Sequence, residues 1–156
     1  MKSVLISIRP QWCEKIVSGK KTIEVRKTAP KEVPFKCYIY MTQGAYKDLG
    51  LYSEGIYQNR MKVIGEFICD KVYLIKNQRN RFVVANEEQG VTNEIARQSF
   101  LDYYDMVSYL GDKDGYGWHI SDLKIYNKPR ELSEFWVRKK LTRPPQSWQY
   151  VEELEK

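Results

Sequence analysis

Gly19 separates two periodicities, and this switch constrains the fold more than any other feature of the chain. Before it, Pro10 stands at a first helical position, and Trp12, Cys13, Ile16 and Val17 recur at helical spacing. Glycine just past such a run is a common helix end. After it, Lys20-Lys21-Thr22-Ile23-Glu24-Val25-Arg26 alternates. Successive strand side chains point to opposite faces. Ile23 and Val25 therefore face a core, Glu24 and Arg26 share the other face, and Lys21 stands at the strand's entry. Two readings of this stretch compete. An exposed strand with a Glu–Arg pair would contribute about 0–1 kcal/mol. A ligand site would instead use the cations to hold an anion and the carboxylate to accept hydrogen bonds.

The same logic places the other elements. Residues 3–9 alternate and form an opening strand, Thr28 to Pro34 a loop, and Lys36–Thr42 a strand with Cys37, Ile39 and Met41 on one face. Gln43 to Asn59, with three glycines and three tyrosines, reads as a long loop with a short helical turn. Met61 to Ile75 is the longest β-like run, bent or bulged at Gly65. Asn77 to Gln89 is polar, and a helical pattern capped by Thr92 or Asn93 runs to Leu110 with a break near Asp102. Tyr116–Tyr126 is one long strand, Glu131–Val137 a short helix, and Trp148–Val151 a closing strand. About six strands and three or four short helices, without strand–helix–strand alternation, predict an α+β fold. Its expected form is a small, mostly antiparallel barrel with helices packed on it. The 156 residues suit one domain, 1–156.

Charge distribution narrows the partner. Residues 1–40 hold nine Lys/Arg against three Asp/Glu, whereas the remainder holds seventeen of each. The surplus belongs to the segment carrying the Gly19–Arg26 stretch, and a basic face favours polyanions, nucleic acid above all. No apolar run approaches the length of a membrane span. The Val4–Ile8 run is too short for a signal peptide and is cut by Arg9-Pro10, so a cytoplasmic protein is expected. Cys13, Cys37 and Cys69 lack disulfide or zinc spacing and read as buried thiols. His119 is the single histidine, which cannot build a common metal site. Phosphate-loop, dinucleotide, HExxH and GxSxG patterns are all missing. No metal or cofactor is expected.

The stretch Gly19-x-Lys21-x-x-Glu24-x-Arg26 resembles the GxKxxExR pattern of ASCH domains (activating signal cointegrator homology). The flanks agree: Leu5–Ile8, the helix ending at the glycine, Val63–Phe67, Tyr116–Ser121 and the Arg143–Trp148 tail resemble those of bacterial and phage members. The resemblance implies a PUA-like barrel that binds RNA or a modified base in a cleft beside the barrel. Some relatives are enzymes. One branch is an amidohydrolase on acetylcytidine, using a lysine, a threonine and a glutamate, and another is a metal-dependent ribonuclease. Lys21 matches the amidohydrolase lysine. Glu24 stands where that enzyme has its threonine, Thr22 lies nearby, and Glu66 is a candidate for the glutamate.

The reading that follows is a nucleic-acid module, RNA rather than DNA, or a modified-nucleotide binder. Lys21 and Arg26 would meet phosphate or a base edge, and Glu24 would accept from a base amino group or orient Arg26. Thr22, Arg9 and Trp12 would line the same cleft. Trp118 and Trp148 are candidate stacking rings, with core packing as the alternative for each, and base–aromatic stacking is worth about 1–3 kcal/mol per base. The alternative is a metal-independent hydrolase on RNA or a modified nucleoside. Lys21 would be its base, Glu24 its acid/base group, and His119 an assistant. A Cys–His pair is a lesser variant. A protein-interaction module is the third class, and no residue pattern favours it. Alanine at Lys21, Glu24 or Arg26 is expected to weaken binding and leave the fold intact.

Overall fold

The computed structural model describes residues 1–44, 55–79, 81–85 and 89–155. Much of the Gln43–Asn59 loop therefore lies outside the described residues, as do parts of the Asn77–Gln89 segment.

Two sheets organise the chain. The first has five strands in the order β11 (Trp148–Val151), β1 (Ser3–Ile8), β3 (Phe35–Met41), β4 (Lys62–Cys69) and β8 (Ser121–Arg130). Only the β1–β3 pair in it is parallel. The second is antiparallel, in the order β2 (Ile23–Arg26), β7 (Gly115–His119), β5 (Val72–Gln78) and β6 (Arg81–Val84). A two-stranded hairpin, β9 (Trp136–Val137) and β10 (Lys139–Lys140), stands apart. With helices α1 (Pro10–Val17), α2 (Gln89–Ser99) and α3 (Tyr103–Leu110), this is the expected α+β fold, mostly antiparallel with helices packed on it.

Alternation along the strands divides the interior into three regions. Val4, Ile6 and Ile8 meet Cys37, Ile39, Met41, Phe67 and Trp118 in the main core, which also receives Cys13 and Ile16 of α1. Ile23 and Val25 point to a second cluster, with Ile75 and Val84 from their own sheet and Ile95, Met106 and Leu110 from α2 and α3. Leu5, Tyr38, Tyr40 and Val63 face the far side of the first sheet, where Val151 of β11 joins them and Phe135 packs on them. β1 is buried on both faces, which is why all six of its residues are buried.

Two expected long strands are each two strands. The Met61–Ile75 run breaks at Asp70 and Lys71, and the Tyr116–Tyr126 run breaks at Ile120. In both cases the chain passes from one sheet to the other, so the apolar run is continuous while the pairing partners change. β6 forms within the segment read as polar loop, because Phe82, Val83 and Val84 pair with β5. The expected Glu131–Val137 helix is a 3₁₀ turn, Leu132–Glu134, followed by the hairpin. The break near Asp102 is real: Asp102 and Asp105 form a reciprocal capping box that starts α3. Pro10 is at the start of α1, and Gly19 adopts a φ of 78° just past it.

Candidate functional site

The switch at Gly19 buries the charged stretch. Lys21, Glu24 and Arg26 are 1%, 5% and 8% exposed. An exposed strand with a solvated ion pair is therefore not what forms. Glu24 pairs with Trp118 across β2–β7 and Arg26 with Tyr116, so both charged side chains share the face opposite Ile23 and Val25.

Lys21 sits where α1, β2 and the end of α2 meet. Its Nζ donates to the backbone carbonyl of Ser99 and lies 5.2 Å from the centre of the Trp12 ring. Burial lowers its pKa; Glu24 and Asp105 oppose that shift and Arg26 adds to it. Thr22 is tied to α2 through Gln98, by a backbone bond of 2.9 Å and from Oγ1 to Oε1 at 3.1 Å. Lys21 and Thr22 are thus the two residues that dock β2 on the end of α2.

Arg26 bridges the sheets. It donates from one terminal nitrogen to the Ser7 carbonyl on β1 at 2.6 Å, and from the other to Ser147 Oγ, before β11, at 3.3 Å. Its Nε lies 3.7 Å from Glu24 Oε1, an ion-pair distance too long for a hydrogen bond. That Nε and the second oxygen of Glu24, Oε2, are buried without a hydrogen-bond partner among the described residues. Leaving a buried donor or acceptor unmet costs about 1–3 kcal/mol. One unmet donor and one unmet acceptor thus lie on the same strand face, beside a buried ammonium.

Several neighbours were not legible as site residues. Tyr109 of α3 is electrostatically coupled to Arg26, Glu24 and Arg9, accepts from the Lys27 backbone N–H, and has its pKa raised by burial. Ser7, Ser99 and Ser147 supply the partners of Arg26 and Lys21. Only the tertiary structure brings these segments to β2, and an isolated serine or tyrosine carries no spacing signal.

The remaining expected residues fall in different places. Trp12 is half-buried against the main core and over Lys21, and Arg9 is exposed at the mouth of α1. Trp118 is fully buried, edge-on to Phe35 and to Trp148, so its faces are closed to a base. Trp148 is half-buried, with Nε1 donating to Thr28 Oγ1 at 2.9 Å. His119 points to the other face of β7 from Trp118, and its Nδ1 lies 2.6 Å from Asp70 Oδ1. It is therefore not grouped with Glu24 and Arg26. Glu66 pairs with Tyr38 on the far face of the first sheet and accepts from Tyr126 at 2.8 Å, remote from Lys21. A Cys–His nucleophile finds no support. Burial drives the Cys13 thiol well above its usual pKa and pushes Cys69, next to His119 in space, up to about 12.

Among the described residues no group of His, Cys, Asp or Glu could hold a metal ion. No described helix is long and apolar enough to cross a membrane. A cavity of about 420 Å³ lies between the β5–β6 hairpin and α2–α3, lined by Ile75, Phe82, Val84, Ile95, Leu101 and Met106 among others. It is on the Ile23/Val25 side of β2, so it is separate from the charged cluster.

No protein-family model matches the chain, and no curated protein matches it. Its fold, however, is shared with solved structures. The ASCH protein of Zymomonas mobilis aligns with a TM-score of 0.66 and 21% identity, over 97% of this chain and 89% of that one. A Tyr-to-Phe variant of that protein aligns with a TM-score of 0.65 and 20% identity, over 98% and 92%. The chain therefore has the ASCH fold.

Proposed function

We propose that this protein is a nucleic-acid-binding module, with RNA or a modified nucleotide as its ligand, bound at Lys21, Glu24 and Arg26. The observation that carries the reading is the unmet, buried Glu24 Oε2 and Arg26 Nε beside the buried Lys21 ammonium. A base edge presents donors and acceptors side by side, which is what such a pair would take. Arg9, exposed beside α1, and the half-buried Trp12 and Thr22 would complete the rim. The ASCH fold and the basic excess of residues 1–40 support the reading without specifying the ligand. The protein would act as a single domain in the cytoplasm.

A hydrolase on RNA or a modified nucleoside is the second reading, favoured by one observation. Lys21, with its pKa lowered by burial, is closer to the neutral amine a general base requires. Glu24 would be the accompanying acid/base group. His119 and Glu66 have no part in it, because the one is held by Asp70 and the other by Tyr126.

The test is a binding titration against short single-stranded and duplex RNA and DNA at several salt concentrations, with product analysis of the same samples. Binding that weakens with salt and is lost in Glu24→Gln, without any product, is the outcome expected of a binding module. Glu24→Gln keeps the side-chain volume and removes only the charge. Turnover abolished by Lys21→Met would put the hydrolase first. Full binding in both variants would remove the cluster from the ligand site.

A further inference from the structure

The near-neutral balance of residues 41–156 conceals a second concentration of positive charge. Residues 124–143 carry seven Lys/Arg and two Asp/Glu, and no acidic residue occurs from Phe135 to Val151. This segment includes β8 from Lys124 onward, the β9–β10 hairpin and the approach to β11. At the hairpin, Arg138, Lys139 and Lys140 are all exposed, and none of the three forms an ion pair among the described residues. Arg138 occupies the turn with a φ of 65°, a conformation that arginine rarely adopts.

One large ring stands exposed beside Lys140, and another is exposed on β11. Trp136 is 42% exposed, and Lys140 Nζ lies 5.7 Å from its ring centre. On β11, Tyr150 is 44% exposed, contacts the Trp148 ring at 5.3 Å, and has Lys2 Nζ 5.3 Å from its centre. An exposed tryptophan whose one neighbouring cation has no ion-pair partner among the described residues leaves apolar area in water. Stacking rings interleaved with cations are what a single strand requires: π-faces for bases and charges for phosphates.

The strand β11 joins this surface to the charged cluster. Ser147, just before β11, accepts from Arg26, and Glu152, just after it, donates its backbone N–H to Trp136 at 2.9 Å. The two ends are about 17 Å apart along an extended chain. Trp148 and Tyr150 lie between them.

We propose that the β9–β10 hairpin, with the exposed ring of Trp136, forms a second nucleic-acid surface, which holds single-stranded nucleic acid by its phosphates and stacked bases. This goes beyond the cluster on β2 and does not depend on it. The surface would contribute length-dependent, sequence-tolerant binding.

The experiment compares fluorescence anisotropy of a labelled oligouridylate of about twelve nucleotides with that of a labelled uridine trinucleotide. The proteins are the intact chain, Arg138→Glu/Lys139→Glu/Lys140→Glu, and Trp136→Ala, with circular dichroism to verify folding. The triple variant is expected to lose affinity for the longer strand, with its salt slope reduced by up to about 2, at about 0.7 per phosphate contact. Trp136→Ala is expected to lose about tenfold. Trinucleotide binding is expected to stay unchanged in both. Unaltered affinity and salt slope for the longer strand would overturn the proposal. So would a polyglutamate chain of similar length competing as well as the oligonucleotide, because charge alone would then explain the surface. If the intact protein binds no trinucleotide, the reading of the β2 cluster fails, while hairpin-dependent binding of the longer strand would still support this surface.

Discussion

Lys21 is an ammonium group held almost entirely out of water. One carbonyl, one indole face and two carboxylates offset part of its desolvation, and its pKa remains lowered. A lysine with a folded pKa below its unfolded value of about 10.4 binds its proton less readily in the folded protein. Between the folded pKa and about 10.4 the unfolded chain therefore holds more protons, so stability rises with pH across that window. Below the folded pKa this group contributes no slope. Urea denaturation of the intact protein and of Lys21→Met across the alkaline range should show the difference, with the rise present only in the intact protein. Taking the difference removes the opposite contribution of Tyr109, whose raised pKa makes its ionisation destabilising. An identical pH profile in the two proteins would mean that Lys21 is not held in this environment.

At the scale of elements, the bulge at Ile64, beside Gly65, decides how β4 sits between its neighbours. The register shifts on both sides, between Ile39 and Tyr40 on β3 and between Val63 and Gly65 against β8. A Cβ at Gly65 would lie 2.5 Å from the Lys124 carbonyl oxygen and 2.9 Å from the Ile125 side chain. The carbonyl is backbone and cannot turn aside, so the β4–β8 pair must separate to admit it. Gly65→Ala should cost about 1–3 kcal/mol, as overpacking does, read as a lowered Tm. An unchanged Tm would show that β8 is free to shift. The bulge was legible because a glycine interrupts an apolar run. The breaks at Asp70–Lys71 and at Ile120 were not, because apolar residues continue on both sides and only the change of sheet partner marks the boundary.

For the whole molecule, Arg26 links β2 of one sheet to β1 of the other and to the segment before β11. Alanine at this position was expected to leave the fold intact; the burial of Arg26 predicts a loss of stability instead. Arg26→Ala strands the Ser7 carbonyl and leaves Glu24 as a buried charge without its cation. Breaking a buried pair from one side costs about 3–5 kcal/mol. The variant should denature at markedly lower urea concentration, and Glu24→Gln/Arg26→Gln should recover part of the loss by removing both charges. Equal stability of Arg26→Ala and the intact protein would show that the sheets are held by apolar packing alone.

Several local elements and the make-up of the motif were legible in the chain alone. Pro10 and Gly19 bound the first helix, alternation assigned Ile23 and Val25 to a core, and Cys37, Ile39 and Met41 share the face they were expected to share. These follow from neighbour spacing, which a linear chain displays directly. Only the tertiary structure decided that the other face of β2 is enclosed as well. Helix α1, the end of α2, Tyr109 and Ser147 come from distant parts of the chain, and together they bury Lys21, Glu24 and Arg26. Periodicity reports which residues share a face but not what covers it. That is why a charged face was legible in the sequence, and why its closure, its unmet hydrogen-bonding groups and the separation of His119 and Glu66 from it were not.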